Sequence, residues 1–402
     1  MIFLYNLFIV LALLLASPFL IYKIFVNKRW RYRVKERFLP KKIKKDNFFL
    51  LHASSLGEIN ASKVLIDELK KRFSLDVVVT TFTDTGFKRA KQLYSSVYFL
   101  PLDIFFLYSV MFYNKPRFAV LFETELWPSL VYFLKAHHIP IFIVNGRMSK
   151  RSFKWYRFFS FFFKPVLQMF DAIFVRSEDD KSRFLKLTDG RGIIKVCGNI
   201  KGFPPVEETK EVDLSPQYDV ITFGSIHAGE LDIIIPVVKK LINKKRMIVV
   251  APRHLEKLSL FEKRLKEENI DYRRRTEKKW GNTILLDTYG ELVSFYKNSK
   301  AVFIGGSLIP NIGGHNPIEG LLSERKVIFG PFMDNFKEEV DRIIRMGLGS
   351  YVYSGEELAE KMEEVLQEKN GKNEGFFDYY KNVLSCYVDG IEKLLMSDEK
   401  NL

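Results

Sequence analysis

The chain has 402 residues, 47% of them hydrophobic and 28% charged, which excludes a disordered or collagen-like protein and leaves room for about two domains with cores of their own. Lys and Arg outnumber Asp and Glu by 63 to 48, a formal net charge of +15. The two cysteines, Cys197 and Cys386, lie far apart and give neither a disulfide framework nor a metal-binding spacing, so both read as core thiols in a reducing compartment.

Residues 1–26 are almost wholly apolar, with Asn6 and Lys23 the main exceptions. That is enough for a transmembrane anchor, which needs roughly 20 residues. The cations follow the apolar run instead of preceding it, which argues against a cleaved signal peptide. Residues 27–45 form a basic juxtamembrane segment: from Lys28 to Lys45 there are ten Lys or Arg and one acid, Glu36, or +9 of the net charge. The positive-inside rule keeps this flank cytoplasmic and puts a short N-terminus outside. Charge concentrated there predicts an anionic membrane surface as partner. No zinc-finger spacing, RNP-like motif or helix-turn-helix pattern supports a nucleic-acid partner.

Past Asp46 the pattern alternates between buried strands and helices. Apolar runs at 48–52, 77–81, 118–122, 139–144, 172–175 and 193–197 read as parallel strands. Between the first two, Ile59, Leu65, Leu69 and Phe73 are spaced for one helix face. The proline-bearing polar stretch at 204–217 reads as a linker. The alternation resumes at 220–223, 247–251, 283–286, 301–304 and 327–329. Residues 46–203 and 218–402 are thus predicted to be two doubly wound α/β domains facing across a cleft, the last helix being free to cross back to the first domain. Within the first of these domains, Lys150 to Lys164 interleaves five cations with aromatics, a pattern shared by a solvated-rim core helix and a helix at a membrane interface. The apolar stretch 104–113 could join that surface.

The candidate chemistry falls at strand-to-helix connections. His52-Ala-Ser-Ser-Leu-Gly-Glu58 places Glu58 in a first helical turn, where a carboxylate either caps the helix or acts as a base. Glu123-Thr-Glu125 follows another strand, and two acids at i and i+2 are too many for a cap, so at least one is expected to face ligand. Gly198-Asn-Ile-Lys201 offers a cation to a carboxylate or phosphate. In the second half come Gly224-Ser-Ile-His-Ala-Gly-Glu230, Pro252-Arg253-His254 and Thr288-Tyr289-Gly290-Glu291. The richest loop, Gly305 to Glu319, combines two glycine pairs, His315 and Asn316-Pro317-Ile318-Glu319. Asn316 fits an N-cap and Pro317 a first helical position, a terminus suited to phosphate, with Glu319 set to hold sugar hydroxyls. No P-loop, CxxC or HExxH occurs, so a Walker NTPase or metalloenzyme is not expected.

Together these segments resemble the Kdo transferase family, enzymes that add 3-deoxy-D-manno-octulosonic acid (Kdo) to the lipid A precursor. The resemblance rests on His-Ala-Ser-Ser-Leu-Gly-Glu (52–58), Thr-Thr-Phe-Thr-Asp-Thr-Gly (80–86), Leu-Pro-Leu-Asp (100–103) and Glu-Thr-Glu-Leu-Trp-Pro (123–128). It continues through Asn-Gly-Arg-Met-Ser-Lys-Arg-Ser (145–152), Gly-Asn-Ile-Lys (198–201), Pro-Arg-His (252–254) and Gly-Gly-His-Asn-Pro-Ile-Glu (313–319), in family order over nearly the whole chain. The family commonly has Val at 56, Ala and Leu at 146 and 148, and Lys-Phe-Asp where Lys201-Gly-Phe stands. The resemblance implies a GT-B inverting glycosyltransferase of the inner membrane, its catalytic domains cytoplasmic, moving Kdo from CMP-Kdo to lipid IVA. It implies Glu58 as base, Glu125 and Lys201 supporting the transition state, and Pro252, Arg253, His254, Tyr289, Gly290, Glu291 and Asn316 to Glu319 contacting CMP. CMP-Kdo is then a donor substrate, and neither metal nor cofactor is expected. The alternatives are another GT-B nucleotide-sugar enzyme, a hexosyltransferase or epimerase, and a non-catalytic membrane-anchored binding protein.

Overall fold

The computed structural model describes residues 1–26, 34–203, 212, 218–368 and 373–399. Most of the 204–217 linker and part of the basic 27–45 segment lie outside the described residues. The chain divides into two units, residues 1–203 with 380–402, and residues 204–379.

In unit 1, β1 (Phe48–His52), β2 (Asp76–Thr81), β3 (Val97–Phe99), β4 (Ala119–Phe122), β5 (Ile141–Gly146), β6 (Ala172–Val175) and β7 (Ile193–Val196) form one parallel sheet, ordered β3-β2-β1-β4-β5-β6-β7. β1, β4 and β6 are buried along their full length, as expected of strands covered by helices on both faces. The order reverses between β1 and β4, so the carboxyl ends of those two strands flank the crevice where such sheets take ligands.

Unit 2 repeats the plan. β8 (Asp219–Ile226), β9 (Arg246–Pro252), β10 (Arg273–Arg274), β11 (Thr283–Leu285), β12 (Ala301–Ile304), β13 (Val327–Phe329) and β14 (Gly349–Tyr351) are ordered β10-β11-β9-β8-β12-β13-β14, all parallel. Here the switch lies between β8 and β12.

The helices of unit 1 are α1 (Ile2–Val26), α2 (Val34–Phe38), α3 (Leu56–Phe73), α4 (Asp84–Leu93), α5 (Phe105–Met111), α6 (Pro128–Ala136), α7 (Lys150–Phe158), α8 (Ser160–Leu167) and α9 (Glu178–Thr188). Ile2–Phe19 of α1 is long and apolar enough to cross a membrane. The start of α1 is tied to unit 1. Tyr5 Oη donates to Asp103 Oδ2 (2.9 Å), Asn6 Nδ2 to Ser129 Oγ (3.0 Å), and the Phe105 N–H to Asn6 Oδ1 (2.8 Å). Asp103 also accepts from Tyr108 and from the Ser129 and Leu130 N–H groups at the start of α6. Burial pushes its carboxyl above the usual range, and these four donors oppose the push.

Unit 2 carries α10 (Leu231–Leu241), α11 (Leu258–Glu267), α12 (Leu292–Lys297), α13 (Pro317–Gly320), α14 (Lys337–Arg345) and α15 (Gly355–Gln367). The last helix, α16 (Glu374–Glu399), starts among unit 2 residues and continues from Tyr380 as part of unit 1. There Tyr387 Oη donates to Gly198 O (2.6 Å), and a Cβ at Gly390 would sit 2.5 Å from the Phe174 ring. Arg72 of α3 bonds Asp389 and Glu392.

This return corrects the reading of the cysteines as separate core thiols. Cys197, just past β7, and Cys386, on α16, form a disulfide with Cα atoms 5.5 Å apart. A separation of 189 residues concealed the pair, because proximity depends on where α16 docks.

Candidate active site

In unit 1 the β1–α3 turn sets the geometry. Ser55 caps α3, and Glu58 stands at its third position, almost wholly buried. Glu58 Oε1 accepts from Ser55 Oγ (2.6 Å) and Oε2 from the Ser54 N–H (2.8 Å). Glu58 therefore caps, as its position allowed, and each oxygen retains a second lone pair for another donor.

Ser54 joins this carboxylate to the next. Its Oγ donates to Glu125 Oε2 (2.9 Å) and lies 3.2 Å from Nε2 of the fully buried His52. Trp127 Nε1 also donates to Glu125 Oε2, at 3.2 Å. Burial pushes the Glu125 carboxyl up, but His52, Ser54 and Trp127 outweigh it and hold Glu125 below the usual carboxylate range. Ser54→Ala removes one of these donors. The Glu125 carboxyl is then expected to rise, moving the acid limb of the pH–activity profile to higher pH. An unmoved limb would mean that another group titrates there.

The two acids after β4 take different partners. Glu123, held at φ +60°, forms an ion pair with Lys201, while Glu125 meets the Ser54 group. Lys201 is brought to Glu123 by the Asn199 cap on its N–H (3.1 Å) and by Asn145 Oδ1 accepting from the Ile200 N–H (3.2 Å). A hollow of about 200 Å³ opens beside them, lined by Glu123, Glu125, Arg147, Ser149, Ser152 and Tyr156 among others.

In unit 2 one buried acid organises the switch point. Glu230 accepts four backbone N–H groups: His227 (2.9 Å) and Gly306 (2.7 Å) on Oε2, Ser307 and Leu308 (both 3.1 Å) on Oε1. The N–H donors of this glycine loop therefore close on a side chain of the protein. Gly305 is required because a Cβ there would sit 2.6 Å from Ser225 O. Sequence reasoning singled out the connection that ends at Glu230 but not the role of its carboxylate. The spacing from His227, N-cap to third position, was its signal, hidden because His replaces the usual Ser or Thr.

His227 and His315 meet Nε2 to Nε2 at 2.8 Å, with His254 edge-on to His227. Arg253, on the same connection as His254, is exposed, and Pro252 closes β9. Burial, then the charges of Arg253, His227 and His254, push His315 down to about 4, and burial lowers His227. An unfolded imidazole of ordinary pKa 6.5 takes its proton first as pH falls, so unit 2 loses stability from pH 6.5 down to about 4. His315→Asn is expected to flatten that dependence in melting curves taken across this range. An unchanged slope would place the titration elsewhere.

Asn316 caps α13, its Oδ1 accepting from the Ile318 N–H (3.1 Å) and its Nδ2 donating to Glu319 Oε1 (3.1 Å). Pro317 takes the first position and Ile318 is buried. Tyr289 is exposed and Gly290 has φ +84°. Glu291 is engaged by Arg275 Nη2 (3.0 Å) and Thr288 Oγ1, so its carboxylate serves the fold in this arrangement. Arg275 was not foreseen. Among the described residues no cluster of three or more His, Cys, Asp or Glu is arranged to hold a metal.

Residues 31–203 match the family described as 3-deoxy-D-manno-octulosonic-acid transferase (kdotransferase). A bifunctional glycosyltransferase/methyltransferase of Fusobacterium nucleatum subsp. nucleatum is 31% identical over 98% of this chain, which spans 64% of that protein's length. The 3-deoxy-D-manno-octulosonic acid transferase of Aquifex aeolicus is 29% identical over 91% of this chain and 99% of its own. Among solved structures, the glycotransferase of kitacinnamycin superposes with TM-score 0.53 at 12% identity, over 86% of this chain and 98% of that one. That likeness concerns the fold alone, the two-domain GT-B glycosyltransferase fold.

Proposed function

Because the chain belongs to the Kdo transferase family, we propose that it transfers Kdo from CMP-Kdo to the lipid A precursor lipid IVA, at the cytoplasmic face of the inner membrane in lipopolysaccharide biosynthesis, with α1 as its single anchor. The observation that carries the reading is the pair of carboxylates, Glu58 and Glu125, bracketing Ser54 at the carboxyl ends of β1 and β4. Glu58 takes the proton of the attacking sugar hydroxyl as its oxygen bonds to the anomeric carbon of Kdo. The bond from that carbon to the CMP phosphate breaks, and the configuration inverts. Glu125 and Lys201 steady the developing charge, for which Lys201 must exchange Glu123 for substrate. In unit 2, Arg253 meets the phosphate, with Pro252, His254, Tyr289, Gly290 and Glu291 around the nucleotide. Asn316 to Glu319 hold its ribose.

The test is mass spectrometry of lipid IVA incubated with purified protein and CMP-Kdo, in parallel with UDP-sugars. Addition of Kdo with release of CMP is expected. Consumption of a UDP-sugar with CMP-Kdo untouched would instead mean a hexosyltransferase. Arg253→Ala is expected to raise the donor KM by roughly 10- to 100-fold, the worth of a hydrogen bond to a charged group. An unchanged donor KM would remove Arg253 from the nucleotide site.

A further inference from the structure

The first turns of α1 and the chain that follows it are held by the same short loop of unit 1. Tyr5 and Asn6 bind Asp103 and the Phe105 N–H. The returning chain binds one residue earlier, where the Leu102 N–H donates to Arg37 O (3.0 Å). The Arg37 guanidinium lies 4.0 Å over the Phe82 ring and donates to Phe82 O. The chain therefore departs from this loop after Asn6 and is beside it again at Arg37.

That closure conflicts with either sense of membrane crossing. An N-terminus outside would set Tyr5 and Asn6 a bilayer's thickness, roughly 30 Å, from the loop that binds them. Crossing in the other sense would carry Val26 to the far side. The eight steps from Val26 to Val34 reach at most about 29 Å. They would have to return through hydrocarbon bearing Lys28, Arg29, Arg31 and Arg33, at roughly 2.5–3.5 kcal/mol each.

The surface of α1 fits a third arrangement. Ile2, Tyr5, Asn6, Ile9, Leu13, Ala16 and Ser17 form a half-buried stripe at helical spacing, and α1 packs on α6. The opposite face, with Leu4, Phe8, Leu11 and Leu15, is exposed, Leu15 by 85%. Other exposed apolar side chains surround the foot of the helix. Phe106 follows Phe105, which binds Asn6, and Phe161 precedes Phe162, whose ring lies 5.1 Å from that of Tyr5. Trp155 and Phe158 on α7 are exposed as well, among the cations Lys150, Arg151, Lys154 and Arg157.

We propose that α1 is a monotopic anchor, lying in the plane of one leaflet with its inner stripe on unit 1 and its outer face in the acyl region. Phe106, Trp155, Phe158 and Phe161 insert beside it, and the surrounding cations meet anionic headgroups. The inference rests on the membrane association proposed above and specifies its mode: nothing crosses, and residue 1 stays on the side of the catalytic units.

The test uses full-length protein with an epitope before Met1, together with the variant Trp30→Cys, in spheroplasts and inverted vesicles. The expected result is a membrane-bound protein whose epitope resists protease in intact spheroplasts and is lost on permeabilisation. The thiol introduced by Trp30→Cys should be modified by an impermeant maleimide only in inverted vesicles. Loss of the epitope from intact spheroplasts means a spanning helix with its N-terminus outside, and labelling of the introduced thiol from outside means crossing in the other sense. Either overturns the monotopic reading while membrane association stands. Protein found wholly in the soluble fraction overturns membrane association itself and this proposal with it.

Discussion

Replacing Glu58 by Gln is expected to lower kcat by roughly 10²- to 10⁴-fold, the usual contribution of a positioned general base, with little change in melting temperature. The variant separates the two roles that the structure superposes on this side chain. Gln keeps an acceptor for the Ser54 N–H, and the Ser55 hydroxyl can rotate, so the cap on α3 survives. What Gln cannot do is take a proton at neutral pH. Glu58→Ala should lose both functions, adding about 1 kcal/mol of destabilisation from the missing cap. Steady-state kinetics beside thermal melts distinguishes the cases. Wild-type turnover in Glu58→Gln would leave Glu58 as a cap and nothing more.

Glu230→Gln or Glu230→Ala is expected to cost about 4 kcal/mol, a large effect for a single residue. All four partners of this fully buried carboxylate are N–H donors. A carboxylate satisfies four donors, whereas an amide turns one of its ends into a donor facing donors. Ala leaves all four unpaired, at about 1–3 kcal/mol for each buried orphan group, less than additively. At about 2–4 °C per kcal/mol for a unit of this size, the melting temperature of unit 2 should fall by roughly 8–16 °C. Here Gln should behave like Ala, the reverse of position 58. Melts that leave either variant within a degree or two of wild type would mean that the Gly306–Leu308 loop holds its shape without Glu230.

The central strands were legible in the sequence because burial on both faces writes them as unbroken apolar runs. β1, β6, β12 and β13 appear where the runs at 48–52, 172–175, 301–304 and 327–329 stand. The edges were not. β3 has three residues, β14 has Gly-Ser-Tyr, and β10 is a pair of arginines, so pairing with one neighbour decides them and local pattern does not. The site divides in the same way. Asn316 capping α13 and Glu58 capping α3 follow from residues within three positions of one another. The Glu123–Lys201 pair, the Ser54–Glu125 bond and the four donors on Glu230 join segments 71 or more residues apart in most cases. Only the sheet order brings those together. The Cys197–Cys386 bond is the extreme case, since it requires knowing where the last helix returns.

That return also fixes an order of events during synthesis. Tyr387 on Gly198, Gly390 against Phe174 and Arg72 on Asp389 are contacts of unit 1, but they are made by residues translated only after unit 2. At ~5–20 residues per second, the ribosome takes roughly 10–35 s to pass from the end of the first segment to Tyr380. During that interval the face of β6 and β7 that α16 covers is open, while all of unit 2 emerges and can close on itself. A nascent chain arrested before residue 380 should therefore hold a finished second unit behind an unfinished first one. The unit that begins folding first is completed last.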